Sequence, residues 1–180
     1  MEDKKGGSFT PILIVMLISL LIASFWGKYP IIKETISKGL DPSLGALLDW
    51  NILIGMLVIV FIISSIMTLA QKYLTDQKTL KELKKEQKLL QEEMKKYKEH
   101  PEKLVELQKK QFEIIPKTMK LTMRPIVYTG IPIILFFRWF MDYFNAMPDF
   151  RFFGFLSWFW FYLIFSIIFS SILRKVFKVY

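Results

Sequence analysis

Residues 74–124 read LTDQKTLKELKKEQKLLQEEMKKYKEHPEKLVELQKKQFEIIPKTMKLTMR, and this stretch decides the fold. It is densely charged, whereas the sequence on either side is apolar over lengths close to the thickness of a bilayer. Its first half carries apolar residues at alternating steps of three and four, the spacing of a coiled-coil seam. These residues are Leu80, Leu83, Leu90, Met94 and Tyr97, with Gln87 as the polar residue in the same register. The pattern predicts a water-exposed amphipathic helix between membrane segments.

The second half of this stretch repeats the spacing after a break at His100 and Pro101. The repeated seam residues are Leu104, Leu107, Gln111 and Ile114. Pro116 is expected to end this second helix. Two amphipathic helices joined by a turn predict an antiparallel coiled-coil hairpin over residues 74–116, with Glu and Lys on its outer faces.

Four apolar segments surround the hairpin, and 53% of the 180 residues are hydrophobic. We call them A (9–26), B (50–70), C (125–141) and D (152–173). A spanning helix needs about 20 residues, so B and D are long enough, and A and C are short. The sequence predicts an all-α membrane protein, with B, C and D as a three-helix core and A as an extra N-terminal hydrophobic helix. The domains are residues 1–45 (N-terminal helix and outer loop), 46–73 (first core helix), 74–116 (hairpin) and 117–180 (Met-rich segment and two core helices).

Segment A follows Lys4 and Lys5 and allows three interpretations. We favour an uncleaved spanning helix. A signal peptide would also have a short apolar run after basic residues, although 23–25 is a poor cleavage site. A helix lying in the membrane interface is the third interpretation, but segment A lacks the polar face that such a helix needs.

The basic residues predict the orientation in the membrane. Fifteen of the 25 Lys and Arg residues lie between segments B and C, and three more follow segment D. Because basic loops stay in the cytosol, we expect the hairpin and the C-terminus to be cytosolic in a multi-pass plasma membrane protein. The basic hairpin is suited to contact ribosomal RNA or anionic lipid, but we favour simple solvation as the explanation of its charge.

Residues for enzyme chemistry are missing from the sequence. The chain has no cysteine and a single histidine, His100, at the hairpin turn. It contains no glycine-rich phosphate loop and no paired intramembrane carboxylates. We therefore expect no catalytic residue, no metal, no cofactor and no small-molecule substrate.

Polar residues recur at the cytosolic ends of segments B, C and D. On B and D they follow helical spacing along one face each, and on C they lie where the segment enters the membrane. The residues are Ser64, Ser65, Thr68 and Gln71 on B; Thr122, Tyr128 and Thr129 on C; and Ser166, Ser170 and Arg174 on D. If these faces converge, they form a polar groove that opens to the cytosol. The alternative is that each hydroxyl bonds to its own helix backbone, which is common in membrane helices.

Arg138 is the ionisable residue deepest in segment C, in its outer half. Asp142 follows one helical turn later and is placed either to pair with Arg138 or to hold it near the interface. We favour the second alternative, in which the long arginine side chain snorkels to water. Pro132 is expected to kink segment C, and the carbonyl that it frees would need a donor.

The order of these elements resembles a known family. Asp49-Trp50 opens the first core helix, and a basic hairpin follows; then come KTMKLTMRP (117–125) and SWFWFYLIFS (157–166). This order, over residues 46–180, resembles the archaeal YidC-like proteins of the YidC/Oxa/Alb insertase superfamily, which are similar to subunit 3 of the ER membrane complex. The chain departs from the bacterial members in lacking an arginine on segment B.

The resemblance implies an insertase that helps nascent hydrophobic segments to enter the bilayer through a polar groove. It implies nascent membrane proteins and the lipid bilayer as partners, and a ribosome or targeting factor at the coiled coil. Met67, Met119 and Met123 would give a flexible apolar contact for varied segments, although Met also fills gaps between helices. The alternative function is a membrane scaffold or receptor whose coiled coil recruits a targeting factor. A channel or transporter is disfavoured because ionisable residues form no path across the membrane.

Overall fold

A computed structural model describes residues 10–179, and every element in this part of the chain is helical apart from one isolated bridge between Phe152 and Leu156. The elements are α1 (Thr10–Phe25), α2 (Pro30–Leu40), a π-helical turn (Asp41–Gly45), α3 (Ala46–Trp50), α4 (Ile52–Leu74), α5 (Gln77–Lys96), α6 (Pro101–Asn145) and α7 (Trp158–Phe177).

Three of these helices, α4, α6 and α7, are long and apolar enough to cross a membrane. The prediction of an all-helical membrane protein with three spans agrees with this finding. Helix α1 has 16 residues and passes the same test only together with the segment from Pro30 to Trp50, which bends away from it by 98°. Phe9 and the two lysines before segment A lie outside the described residues, and spanning by α1 stays a prediction.

Helix α4 begins at Ile52, two residues after Trp50, because Asn51 caps it. The Asn51 side-chain oxygen accepts hydrogen bonds from the backbone N–H groups of Leu53 and Ile54 at 3.1 and 3.0 Å. Without this cap, these two N–H groups in the first turn of the helix would have no partner. Just inside α4, Gly55 packs against α3, and a Cβ at this position would lie 2.5 Å from the carbonyl oxygen of Leu47. Glycine therefore sets the close approach of these two helices.

Helix α6 runs for 45 residues, so its axis is about 68 Å long. It continues through Pro116, Pro125 and Pro132, and the prediction that Pro116 ends it is wrong. A proline inside a helix leaves the carbonyl four residues earlier without its donor. For Pro125 the structure supplies another donor, because the Thr75 hydroxyl donates to the Leu121 carbonyl at 3.2 Å. The helix is therefore continuous from the water-exposed region into the membrane.

Helix α5 packs along the first part of α6, and we call α5 together with residues 101–117 the charged arm. Leu90, Leu107 and Ile114 are buried between the two helices. Around them pack Leu83, Met94 and Tyr97, also from the two apolar runs of the sequence. Asp76 caps α5 by accepting from the backbone N–H groups of residues 78 and 79, each at 3.1 Å. The arm is thus tied directly to α4 by a capped two-residue link.

At the opposite end of the membrane helices, which we call the far end, the segment from α2 to α3 is tied to α6. The Trp139 indole donates to Asp41 at 2.7 Å, and the Tyr143 hydroxyl donates to Asp49 at 2.6 Å. Beside them, Phe140, Phe144 and Trp158 form a stack of aromatic rings that joins α6 to α7. This end of the protein is the most densely packed part of the core.

Helix α1 lies against the membrane part of α6 and runs parallel to it. Val15 contacts α6 at Gly130, where a Cβ would come within 2.9 Å of the valine methyl. Eleven residues later, Trp26 donates to Asp142 at 2.8 Å. Small residues allow such close contact between membrane helices. Of the two alternatives for Asp142, an ion pair with Arg138 is absent from the described part of the chain, and Trp26 and Lys33 both bond to the Asp142 Oδ2.

Candidate functional site

A polar cavity of about 550 Å³ lies between α4, α6 and α7, in the half of the membrane region nearest the charged arm. Its polar lining residues are Ser64, Thr68, Gln71, Thr122, Ser166, Ser170, Ser171 and Arg174. Helical spacing had singled out six of these eight, Thr122 had been included because segment C enters the membrane there, and Ser171 was missed. The apolar lining comes from Ile63, Met67, Pro125, Ile126, Tyr162 and Ile167. The structure therefore brings the polar faces of α4 and α7, together with Thr122 of α6, to one cavity.

The packing of the three helices explains where the cavity forms. Helices α6 and α7 touch near the far end, where the rings of Phe137 and Tyr162 are 4.9 Å apart and those of Phe144 and Trp158 are 5.6 Å apart. Nearer the arm the two helices face each other across the cavity. Helix α4 closes its base, where Ser64 and Thr68 are only 5% and 2% exposed. The cavity is thus a groove with a buried base and two walls.

Most hydroxyl hydrogens of the groove are bonded within their own helices. Thr68 donates to the Ser64 carbonyl at 2.7 Å, Thr122 to the carbonyl of residue 118 at 3.0 Å, and Ser166 to that of residue 163 at 2.9 Å. These oxygens keep free lone pairs and can accept hydrogen bonds. In the described part of the chain the Ser64 and Ser170 hydroxyls make no such bond. The groove therefore offers mainly acceptors.

Cations supply charge at the arm end of the groove. Arg174 lines the groove and is exposed, and the lining contains no aspartate or glutamate. Beside it, the Lys72 ammonium lies 5.8 and 5.7 Å from the ring centres of Tyr73 and Phe177. Cations over aromatic faces are held there at modest cost in hydration. The rim is consequently positive and aromatic, whereas the base is neutral.

Five of the predicted site residues lie outside the polar cavity. Ser65 donates to the Phe61 carbonyl at 2.8 Å, and Met119 and Met123 line neither of the two membrane cavities. Tyr128 and Thr129 line a neighbouring cavity instead. The structure therefore does not bring these two residues to the polar cavity.

A second, apolar cavity of about 570 Å³ lies beside the polar one, between α2, α4 and α6. Thr35, Ile36 and Leu40 of α2 form one wall of it, and Tyr128 and Thr129 lie on another. The two cavities share Ile63, Met67 and Tyr162 and therefore adjoin. The sequence contained a signal for this wall, since the apolar residues of α2 recur at helical spacing between residues 31 and 40.

An exposed apolar stripe runs along α6 from the arm to the polar cavity. It consists of Val105, Phe112, Met119 and Ile126, which follow each other at seven-residue steps and are 49%, 69%, 40% and 45% exposed. Ile126 lines the polar cavity, so the stripe ends at the groove. The sequence interpretation missed this stripe because it lies beside the seam that packs on α5. The same heptad test, shifted by one residue, would have found it.

The three spans, the charged arm and the intramembrane cavity define an integral membrane protein. The family model described as integral membrane protein EMC3/TMCO1-like matches residues 39–155, more than half of the chain, and the chain belongs to that family. This family is part of the broader Oxa1/YidC/Alb3-related insertase group. No curated protein and no solved structure matches the chain. The matched region begins in α2 and ends before α7, so it includes the arm and two of the three groove helices.

Proposed function

We propose that this protein is a membrane protein insertase of the archaeal YidC-like type, which helps nascent hydrophobic segments to enter the plasma membrane. One observation carries the proposal: three membrane helices contribute polar residues to a single cavity in the arm-proximal half of the membrane region. Membership in the EMC3/TMCO1-like family supports an insertase-related role.

In the proposed orientation the charged arm, acting as a coiled-coil hairpin, and the C-terminus lie in the cytosol. The excess of basic residues in the arm and after α7 supports this orientation through the positive-inside rule. Helix α1 would then be an additional span that runs outward from the cytosol, since it is parallel to the membrane part of α6. The polar cavity faces the cytosol in this arrangement.

The groove would act by lowering the cost of moving a client's polar flank into hydrocarbon. Each unsatisfied backbone group there costs several kcal/mol. The hydroxyl oxygens of the groove can accept hydrogen bonds from client N–H groups, while Gln71 and Arg174 can donate to client carbonyls. The mechanism needs no nucleotide and no metal, because the hydrophobic segment itself gains free energy on entering the bilayer.

The apolar elements would guide the hydrophobic part of the client. The exposed stripe from Val105 to Ile126 leads from the arm to the groove, and Met119 lies on it. Methionine side chains are flexible and adapt to varied apolar surfaces, which also suits Met67 at the junction of the two cavities and Met123 near the groove. A client segment would move along the stripe and then laterally into the lipid.

Site-specific photocrosslinking tests the groove. A crosslinker replacing Ser170 should capture a nascent membrane segment, whereas one replacing Ile172, which is 53% exposed on the same helix and lines neither cavity, should capture lipid and little client. Positions 64, 68 and 166 should behave like 170. Equal capture at 170 and 172, or capture only at the far-end residue Phe155, would contradict the groove mechanism.

A receptor or scaffold is the second candidate function, and the exposure of Phe112 favours it. Phe112 is 69% exposed on the charged arm and belongs to the apolar stripe of α6, which is available for docking a targeting factor or ribosome component. Deleting residues 80–114 separates the two functions. A receptor should lose partner binding completely, whereas an insertase core in liposomes should retain insertion of clients with short translocated tails.

A further inference from the structure

A second group of polar side chains lies at the far end, remote from the groove. Arg138 of α6, Trp26 at the end of α1, Lys33 of α2 and Asp142 of α6 form one cluster. The Arg138 guanidinium carbon lies 5.9 Å from the centre of the Trp26 ring. Asp142 accepts from the Trp26 indole at 2.8 Å and from Lys33 at 3.0 Å. The N-terminal elements α1 and α2 thus meet the distant helix α6 around one arginine.

Arg138 has no anionic partner among the described residues. Its Nε is buried without a hydrogen bond, and the nearby carboxylate is engaged by Trp26 and Lys33. An arginine inside a membrane segment without a counter-ion is costly, so such residues usually pair with an anion or reach the interface. The two cations and one carboxylate leave a net charge of +1. The cluster therefore lacks one negative charge.

The depth of the cluster indicates which anion is within reach. Arg138 precedes the end of α6 by seven residues, which places its Cα about 10 Å inside that end. A long arginine side chain spans most of this distance and brings its head to the headgroup layer. Trp26 and Trp139 beside it are typical of the membrane interface. The anion that is always present at this depth is the phosphate of a membrane lipid.

We propose that Arg138 and Lys33 bind the phosphodiester of a membrane lipid, with Trp26 beside the guanidinium and Asp142 holding Trp26 and Lys33 in position. A phosphodiester carries a single negative charge and so neutralises the cluster, and its oxygens match the donors of a guanidinium. Because Trp26 and Lys33 come from α1 and α2, the bound lipid fixes the N-terminal segment to the core helices. Free phosphate has the same chemistry but would have to leave water for this depth.

The test uses the full chain purified in a maltoside detergent and titrated with short-chain phosphatidylglycerol, a glucosyl diacylglycerol of the same chain length, or inorganic phosphate. Phosphatidylglycerol should raise the thermal unfolding midpoint, and the other two should not. Arg138→Gln should weaken phosphatidylglycerol binding about tenfold, as expected for loss of a charged hydrogen bond. Arg151→Gln is the matched control, because Arg151 donates to its own loop carbonyls of residues 148 and 150 at 2.8 Å and should bind lipid unchanged.

Stability without lipid separates a lipid site from a merely structural role. In lipid-free detergent Arg138→Gln should unfold at the same or a higher temperature than the unsubstituted protein, since an unpaired charge has been removed. If Arg138→Gln does not fold, Lys33→Gln is the variant to test, because the Lys33 side chain is 52% exposed. It should weaken lipid binding several-fold. Unchanged lipid affinity in the tested variant, or an equal response to inorganic phosphate and lipid, would overturn the proposal.

Discussion

The hydrogen bond from Thr75 to the Leu121 carbonyl joins the link after α4 to the wall of the groove on α6, and it can be tested by a double-mutant cycle. The bond is 3.2 Å long, and Thr75 is only 5% exposed. The Leu121 carbonyl needs this donor because Pro125 has no N–H. Thr75→Val keeps the shape of the side chain and removes the donor, which should cost about 1 kcal/mol of the free energy of unfolding, or a factor of about 5 in the equilibrium.

The second variant supplies the missing donor from the backbone. In Pro125→Ala the N–H of residue 125 can bond to the Leu121 carbonyl, so adding Thr75→Val should cost at most about 0.3 kcal/mol, and the coupling energy should be about 0.7 kcal/mol or more. Reversible unfolding in mixed micelles, followed by circular dichroism, gives the four free energies. Thr118→Val is the control, since Thr118 donates to the Ile114 carbonyl, whose own helical donor is intact. An equal cost of Thr75→Val in both backgrounds would refute the reasoning.

Three further predictions follow from the packing, the stripe and the helix cap. Gly55→Ala should destabilise the fold by about 2–3 kcal/mol in the same unfolding assay, because the new Cβ would meet a backbone carbonyl of α3 at 2.5 Å. Gly39→Ala is the control. It should be neutral or slightly stabilising, because there is open space around Gly39. Phe112→Ser should weaken binding of an apolar client peptide by about 5- to 30-fold, which is the equivalent of losing about 1–2 kcal/mol of ring burial. Leu89→Ser is the control and should leave binding unchanged, because Leu89 is similarly exposed on α5 but lies off the stripe. Hydrogen bonds from the hydroxyl and backbone N–H of residue 79 lower the pKa of Asp76 below its ordinary value of 3.8. The Asp76 cap therefore stabilises the arm above pH 3.8, and this stabilisation is lost as the pH falls through the lowered pKa. Asp76→Asn should flatten the acid dependence of helicity measured by circular dichroism, and an unchanged acid profile would contradict this prediction.

Local sequence rules predicted most of the helices because single-helix signals are strong in this chain. The spans α4 and α7 begin and end a few residues later than segments B and D. Asn51 caps α4 and so assigns Trp50 to α3. Residues 152–156 form a tight turn with positive φ at Phe153 and Gly154, so α7 begins only at residue 158. Caps and turns of this kind depend on side-chain geometry that hydropathy does not register.

The errors arose where contacts between distant residues overrule a local rule. Pro116 is a strong stop signal in an isolated helix, yet α6 is held on both sides of it by packing against α5 and α4. The tie between Trp139 and Asp41 joins residues 98 apart and carries no local signal. Periodicity placed residues correctly on a face of one helix, as for Ser166 and Ser170, but residues grouped only by proximity, such as Tyr128 and Thr129, face a different cavity.

The division between the polar and apolar cavities sets a limit on what an insertase of this design can move. From Ser64 to Gln71 the polar face covers seven residues, about 10 Å of the roughly 30 Å of hydrocarbon. Beyond the shared residues Ile63, Met67 and Tyr162, the lining is apolar and the far end is closed by stacked rings. A client's polar tail would therefore still cross about 20 Å without hydrogen-bonding groups. Each charge in that tail adds a desolvation cost that no residue lining this apolar stretch offsets. The proposed mechanism therefore favours clients whose translocated tails are short and weakly charged.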